Sequence, residues 1–360
     1  MKSLIYGYGI TGKSFERYLK KTKKNYDIYD MNIPEYSREP NLNLYDVIYC
    51  SPGIPKAEFL NLKKNNMVMT DLDIFFIEDE SIKIGVTGTN RKSTTCFHLF
   101  QIINLNHSVN LVGNIGNPML DVINNGKKYS IIELSSYQLD KMNQNKLDYG
   151  VLLNISPDHI DYYGNFEEYK KVKEKILSSK NFSNENDPYK LQEWITGDAP
   201  QNVNLTDLPF RFQKITSSII NDSKSTNSDS LAYAIKKAED LFSKNYSLVL
   251  CGDPSKEGFS KIKINGPDEV IIFGKHKDDI KNCISHNKKL DFVYLEEALT
   301  YLKNKKNILF SPGYPSGKDY KNFEEYKKVK EKILSSKNFS NENDPYKLQE
   351  WITGDAPQNV

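Results

Sequence analysis

Between Gly85 and Thr95 the chain reads GVTGTNRKSTT, and the types and order of these residues describe a polyphosphate cradle. In a phosphate-binding loop the main-chain N–H groups surround the phosphates, a lysine neutralises them, and the Ser or Thr that follows reaches a magnesium ion. Gly85, Thr89, Asn90, Lys92, Ser93 and Thr94 suit that chemistry. One residue conflicts with it. The position before the lysine calls for glycine, because the chain curls tightly there, and this chain has Arg91. If the curl needs positive φ, the arginine costs about 1–3 kcal/mol of strain.

The elements around this loop alternate strand and helix. An apolar strand, Leu4 to Tyr6, runs into the glycine turn GYGITG, a helix over Ser14 to Lys20, and a second strand ending at Asp30. This is the start of a Rossmann-like βαβ unit, with Gly7, Gly9 and Gly12 at GxGxxG spacing and Asp30 where a ribose or base contact falls. A strand DVIYC then leads into SPGIP (Ser51 to Pro55), and the charged stretch IEDES marks a boundary near residue 81. In the second segment, strand IKIGVTG feeds the loop and a helix from Ser93 to Ile103. Strand IIEL (Ile131 to Leu134) leads into SSYQLD, and strand VLLNI (Val151 to Ile155) into SPDHID. From Phe210 a third segment runs through strand ITSSII, the turn NDSKSTN, a helix over Ser230 to Lys244, strand SLVLC, GDPSKEGFS, strand VIIFG, and strand NILF with SPGYPS. Strands that end on polar and charged residues predict an active site along one sheet edge of an α/β fold.

With 360 residues the chain is long enough for two or three domains. The four cysteines, Cys50, Cys96, Cys251 and Cys283, are widely spaced and lack metal-ligand spacing, which predicts buried thiols in a reducing, cytoplasmic setting. No apolar run reaches membrane length, and the start MKSLIYGYGI reads as a strand rather than a leader, so no membrane insertion is expected. A net charge of +2, with both signs interspersed, gives no case for nucleic acid. A monomer is expected.

Residues 165–203 recur without a change as residues 322–360. Solenoid arrays show several diverged copies of one packing unit, so two identical copies in different contexts argue against that architecture. Identity of this kind points to a recent duplication or a recombination slip.

Five motifs in this order, GTNRKST, GNIGNP, ELSSYQLD, LNISPDHID and NDSKSTN, resemble those of the Mur ligases, over residues 1–180 and 208–325. The resemblance implies an ATP- and Mg2+-dependent ligase of peptidoglycan precursor synthesis with a three-domain α/β fold. Its parts would be a Rossmann-like uridine-nucleotide domain (1–80), an incomplete P-loop central domain (81–208) and a Rossmann-like amino-acid domain (209–325), followed by the duplicated tail (326–360). The branch it resembles couples D-glutamate to UDP-N-acetylmuramoyl-L-alanine.

By that resemblance Gly88, Thr89, Asn90, Lys92, Ser93, Thr94 and Arg211 contact ATP, and Ser93, Glu133, His159 and Lys173 hold Mg2+. Lys173 falls where the family carries a carbamylated lysine, a modification that turns a cation into the oxygen ligand a hard cation prefers. Lys92, His159 and Lys173 are the implied catalytic residues. Ile10, Thr11, Asp30, Ser51, Gly53 and Asn114 match contacts to the nucleotide-sugar. Lys224, Thr226, Lys256, Ser316 and Phe323 match the D-glutamate pocket, where fixed cations suit a dicarboxylate.

Three departures put activity in doubt. Arg91 replaces the loop glycine. A family stretch of His-Arg-Phe-Glu appears as Phe210, Arg211, Phe212 and Gln213, and the central domain's completion between Lys173 and Phe210 is replaced by the first repeat copy. The second copy opens on an NFEE word shared with the first, where a recombination would join them.

Overall fold

The computed structural model describes residues 2–201 and 203–315, so Ser316, Phe323 and the tail 326–360 lie outside the described residues. The chain divides into two compact units, residues 2–155 with 167–206, and residues 156–166 with 207–315.

The first unit holds two all-parallel sheets. Strands β1 (Lys2–Tyr6), β2 (Asn25–Tyr29), β3 (Val47–Cys50) and β4 (Met67–Met69) pair in the order β2-β1-β3-β4. Strands β5 (Ile82–Thr87), β6 (Val109–Gly113), β7 (Tyr129–Glu133), β8 (Tyr149–Leu152) and β9 (Asn181–Ser183) pair in the order β6-β7-β5-β8-β9. Along β1, Leu4 and Tyr6 enter one buried cluster and Ile5 enters another, so both faces of the first sheet are covered, as an apolar parallel strand requires. Helices α1 (Ile10–Lys21) and α2 (Lys56–Asn65) make crossovers in the first sheet, α3 (Asp71–Glu78) leads from β4 into β5, and α4 (Lys92–Ile103) and α5 (Ser136–Lys141) make crossovers in the second.

Two helices are placed by local sequence. Thr70 and Asp73 form a capping box at the start of α3, and Ser135 and Gln138 form another at the start of α5. The third glycine of the first turn is required by close approach. A Cβ on Gly12 would lie 2.2 Å from the Gly7 carbonyl oxygen. Gly85 is not part of the phosphate loop as its sequence position implied. It lies inside β5, where a Cβ would come within 2.4 Å of Leu147 Cδ1.

After β8 come α6 (Ile160–Tyr163), α7 (Phe166–Glu174) and α8 (Pro188–Thr196). The first repeat copy thus supplies α7, the edge strand β9 and α8, the last capped by the Asp187 carboxylate with Pro188 in its first turn.

In the second unit the strands are β10 (Gln213–Thr216), β11 (Ile219–Asn221), β12 (Ser247–Cys251), β13 (Ile262–Lys263), β14 (Glu269–Phe273), β15 (Ile284–Ser285), β16 (Lys289–Phe292) and β17 (Ile308–Gly313). Six of them form a sheet in the order β10-β11-β17-β12-β14-β16, parallel except for β10, and β13 pairs with β15. Leu248 and Leu250 of β12 face one core and Val249 and Cys251 the other, so this sheet too is buried on both sides. The run ITSSII, read as one strand, is broken at Ser217–Ser218 into the antiparallel pair β10–β11. Helix α9 (Ser228–Phe242) follows, capped by Asn227.

Candidate nucleotide and metal site

The phosphate loop runs from the end of β5 into α4. Arg91 is the residue preceding α4, exposed and left-handed at φ 67°, ψ 4°. The loop therefore keeps the curl of a glycine loop, and the arginine carries the strain. Asn154, two residues beyond β8, holds the loop at three points. Its carbonyl oxygen accepts from the Thr89 N–H (2.9 Å), its Oδ1 accepts from the Asn90 N–H (2.8 Å), and its Nδ2 donates to the Asn90 carbonyl (3.0 Å). The Lys92 ammonium donates to the Thr89 carbonyl at 2.9 Å, which bends it back across the loop. Ser93 and Thr94 stand in the first turn of α4, half-buried.

Glu133 closes β7 beside this loop and is 1% exposed. One carboxylate oxygen accepts from Asn114 Nδ2 at 3.1 Å, while Oε2 has no hydrogen-bond partner among the described residues. A buried carboxylate oxygen left without a donor is costly unless something positive meets it. Glu133 and Lys92 both act electrostatically on Cys96, whose thiol is held well above its ordinary pKa, first by burial and then by the Glu133 charge.

Lys173, on α7, is also 1% exposed. Its ammonium donates to Gly88 O at 2.9 Å and Thr87 Oγ1 at 3.1 Å, and lies 5.5 Å from the centre of the Tyr169 ring. The Tyr169 hydroxyl is 3.1 Å from Thr89 Oγ1. Among the described residues no three His, Cys, Asp or Glu side chains gather as a metal cluster. Magnesium does not need one. It binds through one or two carboxylates, keeps several waters and shares phosphate oxygens, so the bare Glu133 oxygen and the Ser93 hydroxyl fit it.

At the carboxyl edge of the first sheet, Ile10 and Thr11 open α1, and Gly53 stands with open space beside it. Asp30 is committed locally. It accepts from the Tyr8 N–H at 2.7 Å and the Asn32 N–H at 2.9 Å. The Ser51 hydroxyl donates to Gly7 O at 2.7 Å, joining the SPGIP and GYGITG turns. Lys141 at the end of α5 donates to Pro52 O at 2.7 Å, tying that turn to the second sheet, and burial lowers its pKa.

In the second unit, Lys224 and Thr226 lie on the turn between β11 and α9, with the Lys224 N–H donating to Phe210 O at 3.1 Å. Asp222 at the head of that turn accepts from the Phe212 N–H at 2.8 Å, and burial raises its pKa to about 7. Arg211, between Phe210 and Phe212, lowers that pKa in opposition to burial, and both flanking phenylalanines have positive φ. Lys256 lies on the short turn Pro254–Glu257 after β12, and the Asp253 N–H bonds Pro315 O at 2.7 Å, so the loops after β12 and β17 meet. His159 belongs to this unit, whereas Ser93, Glu133 and Lys173 belong to the first. It precedes α6 at φ 52°, with Nε2 3.6 Å from Asp158 Oδ2.

Asn154, Tyr169 and Asp222 escaped the sequence reading. Asn154 and Asp222 stood inside LNISPDHID and NDSKSTN, and their amide and carboxylate at strand ends were the available signal. Tyr169 carried none beyond its place on the apolar stripe of a helix.

Parallel sheets with a phosphate-type loop at a strand's carboxyl end and a buried, half-paired glutamate beside it define an α/β fold with a candidate nucleotide site at its sheet edge. Residues 86–248 match the Mur ligase middle domain, and the parallel α/β sheets agree with the multi-domain fold of those ligases. Over 194 residues it is 40% identical to the UDP-N-acetylmuramoylalanine--D-glutamate ligases of Francisella tularensis subsp. tularensis (strain WY96-3418) and subsp. novicida (strain U112), covering 51% of this chain and 45% of each relative. The chain thus spans less than half the length of those relatives. Among solved structures, the MurF ligase of Thermotoga maritima in complex with ADP aligns with a TM-score of 0.57 at 14% identity, covering 93% of this chain and 95% of that one. A pseudomurein peptide ligase type C from Methanothermus fervidus aligns at 0.54 and 15%, covering 92% and 99%. At such identities these likenesses speak to the fold.

Proposed function

We propose that the chain is an ATP-dependent acid–amino-acid ligase that joins D-glutamate to UDP-N-acetylmuramoyl-L-alanine. The observation that carries this reading is the buried Glu133 carboxylate, whose Oε2 has no hydrogen-bond partner among the described residues, beside a clamped phosphate loop. Main-chain N–H groups of residues 88–94, with Lys92 swung from Thr89 O, would hold the ATP phosphates. Ser93, Glu133 and His159 would hold Mg2+, joined by Lys173 once its neutral amine has added CO2 and released a proton. Bound magnesium supplies positive charge to the phosphoryl group in transfer. The substrate carboxylate attacks the γ-phosphorus to give an acyl phosphate and ADP. The D-glutamate amine then attacks the acyl carbon, expels phosphate and loses a proton, forming the amide.

Ile10, Thr11, Asp30, Ser51, Gly53 and Asn114 are assigned to the nucleotide-sugar, Arg211 to ATP, and Lys224, Thr226, Lys256, Ser316 and Phe323 to D-glutamate. The division at residues 80, 208 and 325 belongs to the same reading. The test is phosphate release with ATP, Mg2+, the UDP-muramoyl-alanine substrate and D-glutamate, run against a panel of other amino acids and acyl acceptors. Release that requires all four components supports the assignment, and release with a different amino acid moves it within the family.

A second reading, a nucleotide-binding remnant without turnover, is favoured by Arg91 in the left-handed region of the loop. Calorimetric MgATP binding with no phosphate release under any acceptor would establish it.

A further inference from the structure

The two identical copies, residues 165–203 and 322–360, carry a consequence for how the first unit is completed. The first copy is an integral part of that unit. Its β9 pairs in parallel with β8, with Tyr149 opposite Asn181 and Val151 opposite Ser183. Leu191 of α8 is fully buried, and Trp194 packs edge-on against Tyr149 with ring centres 4.9 Å apart. Asp198 accepts from or pairs with His107 Nε2 at 2.5 Å, and Lys180 pairs with Asp148 at 2.6 Å. Each of these contacts joins a side chain or strand of the copy to residues 2–155, which the second copy would meet unchanged.

We propose that residues 322–360 are an alternative occupant of the site filled by residues 165–203. Docking contacts are fixed by sequence, and the sequences are identical, so the two copies have the same contact free energy in that site. Only their tethers differ. The first copy follows β8 directly and holds the site through its higher effective concentration. A lesion confined to the first copy removes that advantage, and the second copy then takes the site, bringing Tyr326 and Lys330 to the positions of Tyr169 and Lys173. The inference stands whether or not the chain is a ligase, because it rests on packing alone.

The chain provides its own probes. Its two tryptophans, Trp194 and Trp351, are the same position in the two copies. In the full chain, Leu191→Ala or Leu191→Asp weakens the first copy, and Leu348→Ala or Leu348→Asp the second. With Trp194→Phe throughout, which trims the contact to Tyr149 from the first copy in every variant alike, Trp351 is the sole reporter. The expected result is that Leu348 variants alone leave the melting temperature unchanged, Leu191 variants lower it modestly, and the doubles lower it by more than the sum. In the Leu191 variants Trp351 gains protection from acrylamide quenching. The proposal is overturned if a Leu191 variant, including one that fails to fold, is as unstable as its double, or if Trp351 quenching is the same with and without the Leu191 lesion.

Discussion

Replacing Arg91 by glycine isolates the one local rule this loop breaks. Arg91 already sits at φ 67°, ψ 4° with no nucleotide present, so its strain is set by folding and is carried by the free protein. Relief should therefore appear in stability rather than in nucleotide affinity. An L-residue in the left-handed region costs about 1–2 kcal/mol. Glycine removes that cost, but its freer unfolded chain returns about 0.5–1 kcal/mol of it. The net expectation for Arg91→Gly is a gain of about 0.5–1 kcal/mol. Arg91→Ala keeps the strain and loses only the charge and stem, which are exposed, so it should sit within about 0.5 kcal/mol of wild type. In urea denaturation, followed by Trp194 emission in a Trp351→Phe background, an m-value of about 2 kcal/mol/M turns the glycine gain into a midpoint shift of about 0.3–0.5 M. The reasoning fails if Arg91→Gly unfolds at or below the midpoint of Arg91→Ala.

Three further outcomes are expected. Glu133→Gln should cut Mg2+-dependent phosphate release by about 100-fold or more while leaving the melting temperature unchanged or higher, since it removes a buried charge with an unpartnered oxygen; an unaltered Mg2+ titration would count against Glu133 as a ligand. Lys173→Met keeps the buried stem but leaves Gly88 O without this donor, so it should destabilise by about 1–3 kcal/mol in urea, and an unchanged midpoint would show that the lysine's bonds to the loop contribute nothing. Burial raises Asp71 to a pKa of about 7 from the 3.8 of an unburied aspartate. Between those values the unfolded chain has lost the proton and the folded chain has kept it, so stability falls as pH rises through this window. Asp71→Asn should flatten that fall, giving a larger gain over wild type at pH 8 than at pH 4, and equal gains at both pH values would refute burial as the cause.

Much of the candidate site's placement was legible because it is written in short runs. The phosphate loop, the strand-end Glu133 and the NDSKSTN turn each lie within a few residues of the strand that presents them, and strand-to-helix punctuation fixes which edge they reach. The same locality gave the conflict at Arg91, since the backbone demand of the curl is independent of the rest of the fold. The reading went astray where tertiary packing chose between local options. Gly85 resembles a loop glycine in sequence, but Leu147, far along the chain, closes over it and makes it a packing glycine inside β5. ITSSII has the composition of one strand, and only pairing with β17 shows that it must turn at Ser217–Ser218.

The contacts that hold the site rigid belong to this second kind. Asn154 reaches Asn90 and Thr89 across the sheet from β8 to the loop after β5, and Tyr169 reaches Thr89 from α7. Nothing in an asparagine after a strand says which loop it will clamp, because register and strand order are properties of the assembled sheet. Lys173 shows the limit most clearly. In sequence it is one of four lysines between residues 170 and 175, and a run of that kind reads as a solvated helix face. In the fold Lys170 and Lys171 pair with Glu174 and Glu168 at the surface, while Lys173 turns inward to the loop carbonyl of Gly88. The helical period separates them. Tyr169, Val172, Lys173 and Ile176 fall on the face that the first unit buries, and a lysine on a buried stripe is the pattern that sets it apart from its neighbours. That face is known only from the fold, and the partner on it, the Gly88 carbonyl, is supplied only by the assembled sheet.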